Sequence, residues 1–285
     1  MAAIAWSEMM SVGVPVLDAD HKTLVGLVNN LHRSIGDAEE YATLGSVLQA
    51  LEDYAGYHFA REERVMEVCR YPSRETHGRM HHRLAHQVRE LKERYDHDQT
   101  TVRAKDCLDF LHKWLFEHIC STDMDYRSWV IGHPEAAEAA ESVSLTGTKP
   151  GKAALDWKGL RILVVDDNQN FTQVMRTILE GVGVRDIRVA TDLTAAQTIL
   201  TGTQLDVVVS DWHVAAESGL DLVAWVRRQP AIATLPVLIL SGHERVASRD
   251  VALSAGADEF MEKPISARGL LICLSRLMRK EGSST

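Results

Sequence analysis

HFARE places His58 and Glu62 four residues apart, HGRMH does the same for His77 and His81, HICSTD places His118 and Asp123 five apart, and DADHK supplies His21 ahead of them all. On a helix, residues four apart stand about 40° from one another, at the 100° per residue implied by about 3.6 residues per turn, and so share a face. Five neutral imidazoles and two carboxylates suffice for two first-row metal ions bridged by the carboxylates, with a coordination position left for a small molecule. Without metal, each of these buried polar groups needs its own partner; a metal pair satisfies them at once.

Other histidines do not join the set. His82 and His86 stand about 100° and 140° around the helix from His81 and read as solvated or packed bystanders. His32 shares the face of His21 but lies about 16 Å further along the axis, as a polar core residue would. His97 and Asp98 form an HD dipeptide, the mark of another two-metal class, the phosphohydrolases, but they fall in a predicted turn without companion histidines.

A second constellation follows later in the chain. RILVVDDN ends in Asp166 and Asp167, VVVSDW in Asp211, LILSG in Ser241 and FMEKP in Lys263, each at the carboxyl end of a predicted strand. Open α/β sheets place their ligands at that edge. Three gathered carboxylates repel one another and call for a hard divalent cation such as Mg2+.

The elements that must hold these groups are of two kinds. Before His133, apolar residues recur at three- and four-residue spacing through Leu24–Ile35, Leu44–Tyr54, Leu84–Leu91 and Leu108–Leu115, which predicts four helices joined by GDAEE, RYPS and HDQT as an antiparallel, up-and-down bundle. HPEAAEAAESVSLTGTKPGKAA then reads as a linker that begins helical and ends flexible. Beyond it, RILVV, DIRVA, LDVVVS, LPVLILS and DEFME alternate with amphipathic helices, which predicts a doubly wound, five-stranded parallel sheet of flavodoxin-like type. The expected organisation is therefore an all-α bundle over 1–132, a linker over 133–157 and an α/β domain over 158–285. Of the 13 histidines, eleven lie at or before His133, so the two halves do different chemistry.

At 285 residues the chain suits about two domains. A net charge of −9 argues against a nucleic-acid surface. Cys69, Cys107, Cys120 and Cys273 form neither a CxxC pair nor a dense framework, which fits reduced intracellular thiols. No signal peptide or long apolar run is legible, so a cytoplasmic protein without membrane partners is expected.

Residues 1–132 resemble the bacterial hemerythrin-like domains, through Trp6, the LDADH entry to the first helix, HxxxE, HxxxH and HxxxxD in that order. Asp20 stands where Gln is common and Leu84 where an aromatic is common. The resemblance implies that His77, His81 and His118 bind one iron and His21 and His58 the other, with Glu62, Asp123 and an oxo or hydroxo group as bridges. The two-histidine iron would then be the open one, with O2 as its ligand.

Residues 159–280 resemble the receiver domain of bacterial response regulators. That likeness implies that Asp211 accepts a phosphoryl group from a phosphohistidine and that Asp166, Asp167, Asp211 and the backbone carbonyl of His213 hold Mg2+. Lys263 and Ser241 would contact phosphoryl oxygens, and Phe260 would be the aromatic that swings inward. Ala215 stands where the family usually has Pro.

No helix-turn-helix, cyclase or kinase segment is legible after the receiver, so output through a partner, a homodimer or the bundle itself is expected. The combination implies a non-enzymatic two-component protein: a di-iron oxygen or redox sensor joined to a receiver that takes its phosphoryl group from a sensor histidine kinase or phosphotransfer protein. The alternative is an oxygen or iron handler, or a di-iron peroxidase, whose receiver controls location or timing; phosphoester hydrolysis by the two-metal site is the weaker third reading.

Overall fold

The computed structural model describes residues 3–36, 40–146, 155–242 and 249–281. Residues 37–39 of the GDAEE connection, 147–154 of the expected linker, His243 and the terminal 282–285 lie outside the described residues. The chain divides into two compact units, one of Met1–Ala154 with Ser266–Arg268 and the other of Leu155–Ile265 with Gly269–Thr285.

The first unit is built on α1 (Pro15–Ser34), α2 (Glu40–Val68), α3 (Arg74–His97) and α4 (Ala104–Glu117). Proline at the first position of α1 costs no hydrogen bond there and presets the helical φ. Leu24, Leu27, Val28 and Leu31 of α1 are fully buried, as are Leu44, Val47, Leu48, Leu51 and Tyr54 of α2. α3 is more poorly covered: Val88 is fully buried, but Leu84 and Leu91, on the same predicted apolar face, are only half-buried.

The chain departs from four simple helices after α4. His118–Thr122 forms a π turn, closed by the Asp123 N–H donating to the His118 carbonyl at 3.0 Å, and α5 (Met124–Val130) follows. α6 (Pro134–Glu141) lies within the stretch expected as linker, yet Ala136, Ala139 and Ala140 are buried in one cluster with Val65, Met66, Tyr126 and Val130. Small side chains at three- and four-residue spacing let this short helix lie close against the bundle. The bundle therefore continues past residue 132, where the sequence reading ended it.

In the second unit, five parallel strands run in the order β2 (Asp186–Ala190), β1 (Arg161–Val165), β3 (Val207–Asp211), β6 (Val237–Ser241), β7 (Glu259–Glu262). α7 (Gln169–Gly181), α8 (Leu193–Gly202), α9 (Gly219–Arg228), α10 (Arg249–Ser254) and α11 (Ala267–Glu281) complete it. The registers set Val165 beside Ser210, Asp211 beside Leu240 and Ser241 beside Glu262, which gathers the carboxyl ends of β1, β3, β6 and β7. The central strands β1, β3 and β6 are buried on both faces, which is why they read as nearly unbroken apolar runs. An unforeseen two-stranded hairpin, β4 (His213–Val214) with β5 (Glu217–Ser218), follows β3. No helix among the described residues is long and apolar enough to cross a membrane.

Candidate functional site

The seven residues singled out in the bundle converge. His21 comes from α1, His58 and Glu62 from α2, His77 and His81 from α3, His118 and Asp123 from the π turn and its end, and all are buried. Two groups form around shared carboxylates. Glu62, His77, His81 and His118 offer ligand atoms within 4.8 Å of one another, and so do His21, His58, Glu62 and Asp123. Glu62 Oε2 lies 3.1 Å from His81 Nε2 and 3.5 Å from His58 Nε2. Asp123 spans the same divide, with Oδ2 at 3.3 Å from His21 Nε2 and Oδ1 at 3.4 Å from His77 Nε2 and 3.3 Å from His118 Nε2.

The π turn explains the five-residue spacing. On a regular helix Asp123 would stand about 140° away from His118. The extra residue per turn returns it to the same face, and such bulges recur at functional sites.

These atoms have no partners of their own. Both ring nitrogens of His21 and His58, Nε2 of His77, His81 and His118, Oε2 of Glu62 and both oxygens of Asp123 are buried without a hydrogen bond among the described residues. Buried polar groups are rarely left so, and the donor set, imidazole nitrogen with carboxylate oxygen, suits a first-row transition metal. The residues present fit such a pair.

The buried carboxylates and burial pull the rings of the site in opposite directions. Burial opposes a charged ring at His21, but Asp123 and Glu62 outweigh it and push its pKa up to about 10. His118 is dominated by burial and falls to about 4. Burial and Glu62 both oppose ionisation of Asp123, yet His118, His21 and His77 bring it down to about 2.

Three supporting contacts escaped the sequence reading. The Tyr126 hydroxyl, fully buried, donates to Glu62 Oε1 and fixes that carboxylate. Glu63 Oε1 stands 2.9 Å from His81 Nδ1, on the side of the ring away from the cluster, where a carboxylate sets ring orientation. Asp20 Oδ2 lies 3.6 Å from His58 Nδ1 and is held by Arg61. Tyr126 was legible in principle, since it lies three residues after Asp123 on the same helical face; Glu63 and Arg61 carried no periodic signal. Trp6 lies with its ring 6.3 Å from that of His21. His82, His86 and His97 are exposed, and His86 meets Glu90 at 3.4 Å instead of the cluster.

At the sheet edge, Lys263 Nζ stands 2.8 Å from Asp166 Oδ2 and 2.9 Å from Asp211 Oδ1. Burial raises Asp166, against the pull of Lys263 and with the charge of Asp211, to about 6. Burial likewise raises Asp211, against Lys263. Asp167 and His213 are exposed beside this pair. The Ser241 hydroxyl is buried and donates to the Gly242 carbonyl at 2.9 Å. Phe260 is buried and meets Trp212 edge-on at 6.2 Å, so its ring is inward in this structure. Gly219 makes the tight return possible: a Cβ there would fall 2.0 Å from the Asp211 carbonyl oxygen.

The hemerythrin HHE cation binding domain family matches residues 12–130. Bacteriohemerythrin of Stenotrophomonas maltophilia is 30% identical over 133 residues, covering 47% of this chain and 85% of the relative. The chain belongs to the hemerythrin family. Bacteriohemerythrin of Pseudomonas aeruginosa is 31% identical over 126 residues, 44% of this chain and 80% of that protein. The response regulator receiver domain family matches residues 162–274, so the hemerythrin domain is joined to a receiver domain. The solved Francisella response regulator 1452 receiver domain is 30% identical, covers 43% of this chain and 98% of its own, and has a TM-score of 0.39. Membership implies iron binding by the hemerythrin domain and an interaction with a histidine kinase or phosphotransfer partner for the receiver domain.

Proposed function

We propose that this chain is a non-enzymatic signalling protein in which an oxygen- or redox-responsive di-iron hemerythrin domain is coupled to a receiver phosphorylated on Asp211. The observation that carries the reading is the pair of ligand groups sharing Glu62, with the five histidine Nε2 atoms, Glu62 Oε2 and both Asp123 oxygens buried without a hydrogen bond among the described residues. His77, His81 and His118 would hold one iron and His21 and His58 the other, with Glu62 and Asp123 across both. When bound, such a pair supplies two electrons and an open position to a small oxidant such as O2. The chain's own residues do the rest. Tyr126 and Glu63 fix Glu62 and His81, and buried Phe59, stacked on His81 at 4.0 Å, helps to keep water from the site.

In the receiver, an Asp211 oxygen would attack the phosphorus of a phosphohistidine, whose P–N bond breaks as the O–P bond forms. Lys263 stands where it can meet a phosphoryl oxygen, and Ser241 would turn its hydroxyl from Gly242 to another. Asp166, Asp167 and the His213 carbonyl would complete an Mg2+ site with Asp211, and the ion neutralises charge on the transferring group. The added charge of about −1.5 to −2 biases the strands around Ser241 and Phe260.

The experiment compares the rate of Asp211 phosphorylation by a small phosphodonor in reduced, anaerobic protein and after exposure to air. The proposal expects the two rates to differ, and expects Asp211 phosphorylation to change the autoxidation rate in turn. Independence in both directions would overturn sensing and favour an oxygen or iron handler.

A further inference from the structure

A cavity of about 340 Å3 opens between α3 and α4 and meets the ligand cluster at His118 alone. Its walls include Leu84 and Phe110, its mouth carries the exposed Arg83 and Lys113, and Trp114 and His118 line its inner end. The volume falls in the range of small-molecule pockets, which run from about 300 Å3.

Two polar groups here lack partners. Trp114 is 5% exposed, and its Nε1–H is buried without an acceptor among the described residues. Arg83 has no hydrogen bond or ion pair among the described residues, whereas Lys113 meets Glu117 only loosely, at 4.0 Å. An indole N–H and a guanidinium are donors without acceptor capacity. Water solvates the exposed Arg83, so the buried indole N–H is the group that calls for an acceptor; Arg83 and Lys113 against the lining Glu117 leave the mouth net positive, which favours an anionic ligand with an apolar body to cover Leu84 and Phe110.

We propose that this cavity binds a small aromatic hydroxy or keto acid, whose carboxylate pairs with Arg83 at the mouth and whose second oxygen accepts from the Trp114 indole. The ring fills the space between Leu84 and Phe110. The ring of Trp114 stacks on that of His118 at 6.3 Å and 23°, so an occupant presses on a residue of the three-histidine group. That consequence rests on the di-iron reading; binding itself does not, and either can fail while the other stands.

The test titrates 4-hydroxybenzoate into the full chain by calorimetry and follows the Trp114 Nε1–H resonance, assigned with Trp114→Phe. A Kd on the order of 1 mM or tighter is expected, with a shift of that resonance. Arg83→Gln should weaken binding about tenfold, through loss of a charge-assisted contact. Leu84→Trp, which fills the cavity, should abolish it. Both variants should keep the parental circular dichroism; if Leu84→Trp does not, Arg83→Gln alone decides. Absence of binding, or equal binding to the parent and Arg83→Gln with no change at Trp114, would overturn the proposal.

Discussion

Arg61 Nη1 stands 2.9 Å from both carboxylate oxygens of Asp20, joining α2 to α1 in a buried ion pair directly behind His58. The guanidinium also lies over the Tyr57 ring at 4.2 Å and donates to the Val143 carbonyl at 3.4 Å. Removing one partner of a buried pair strands the other charge, which costs about 3–5 kcal/mol. Arg61→Met is therefore expected to lose about that much stability in urea unfolding, and the double variant with Asp20→Asn to recover part of it. Equal stability of parent and Arg61→Met would contradict this account of the pair.

Glu62 belongs to both ligand groups, so Glu62→Ala should remove metal from both. Iron per chain should fall well below half of the parental value, while Asp211 remains phosphorylatable. Loss of both activities would instead mean that the two domains do not act separably.

Metal removal should also be visible in stability. Ligands that bind only the folded state stabilise it by about 2.7 kcal/mol at a hundredfold excess over Kd. Removal of iron by an iron-selective chelator, with Mg2+ held constant, is expected to lower the Tm of the hemerythrin domain while leaving receiver unfolding unchanged, as followed by differential scanning calorimetry.

Much of the histidine–carboxylate cluster was legible because imidazoles and carboxylates at four-residue spacing leave a period that needs no tertiary information. His58 with Glu62 and His77 with His81 are of this kind. The relation of His118 to Asp123 is not, since only a π turn brings residues five apart onto one face. The helical start of the linker was legible and became α6, but its packing was not, because alanines at three- and four-residue spacing suit a free helix as well as a docked one, and only the surface of α2 decides between them. In the receiver, the β-branched strands announced themselves, whereas the β4–β5 hairpin has no pattern long enough to carry a period.

That hairpin leads to a prediction about Ala215. Val214 pairs with Glu217, which leaves Ala215 and Ala216 as a two-residue turn, and Ala215 adopts φ +56°. Such turns favour glycine at a positive φ, and proline, locked near −65°, is excluded there. Ala215→Gly should stabilise the receiver by about 0.5–1 kcal/mol, and Ala215→Pro should destabilise it by about 2 kcal/mol or more. Urea midpoints in the reverse order would contradict the turn.

Glu259, beside Phe260 in β7, provides a pH test in the receiver. Burial raises its pKa, but ion pairs with Arg249 and Arg276 and the Phe260 N–H at 3.2 Å more than offset this and hold it below the usual glutamate value. A folded-state pKa below the unfolded one contributes stability above the unfolded pKa and loses it as pH falls through the folded one. Glu259→Gln should cost about 1–3 kcal/mol at neutral pH. The difference from the parent should shrink as pH falls from the ordinary glutamate range of about 4.3 towards the lower folded value. A difference that stays constant with pH would contradict the depressed pKa.

The proposed acceptor site has an internal reporter, since Trp212 follows Asp211 and is buried against Phe260. Mg2+ with beryllofluoride is expected to change its fluorescence in the parent and not in Asp211→Asn. A response that survives in Asp211→Asn would place the acceptor elsewhere.

The most direct test of the central claim is iron content together with the visible absorption spectrum of the purified protein, reduced anaerobically and then exposed to air. Two ligand groups that share Glu62 predict about two irons per chain, as bridged two-metal bundles require, with charge-transfer bands appearing on oxygenation. A colourless protein that takes up no iron on reconstitution would contradict it, leaving a receiver joined to a helical bundle without a metal centre.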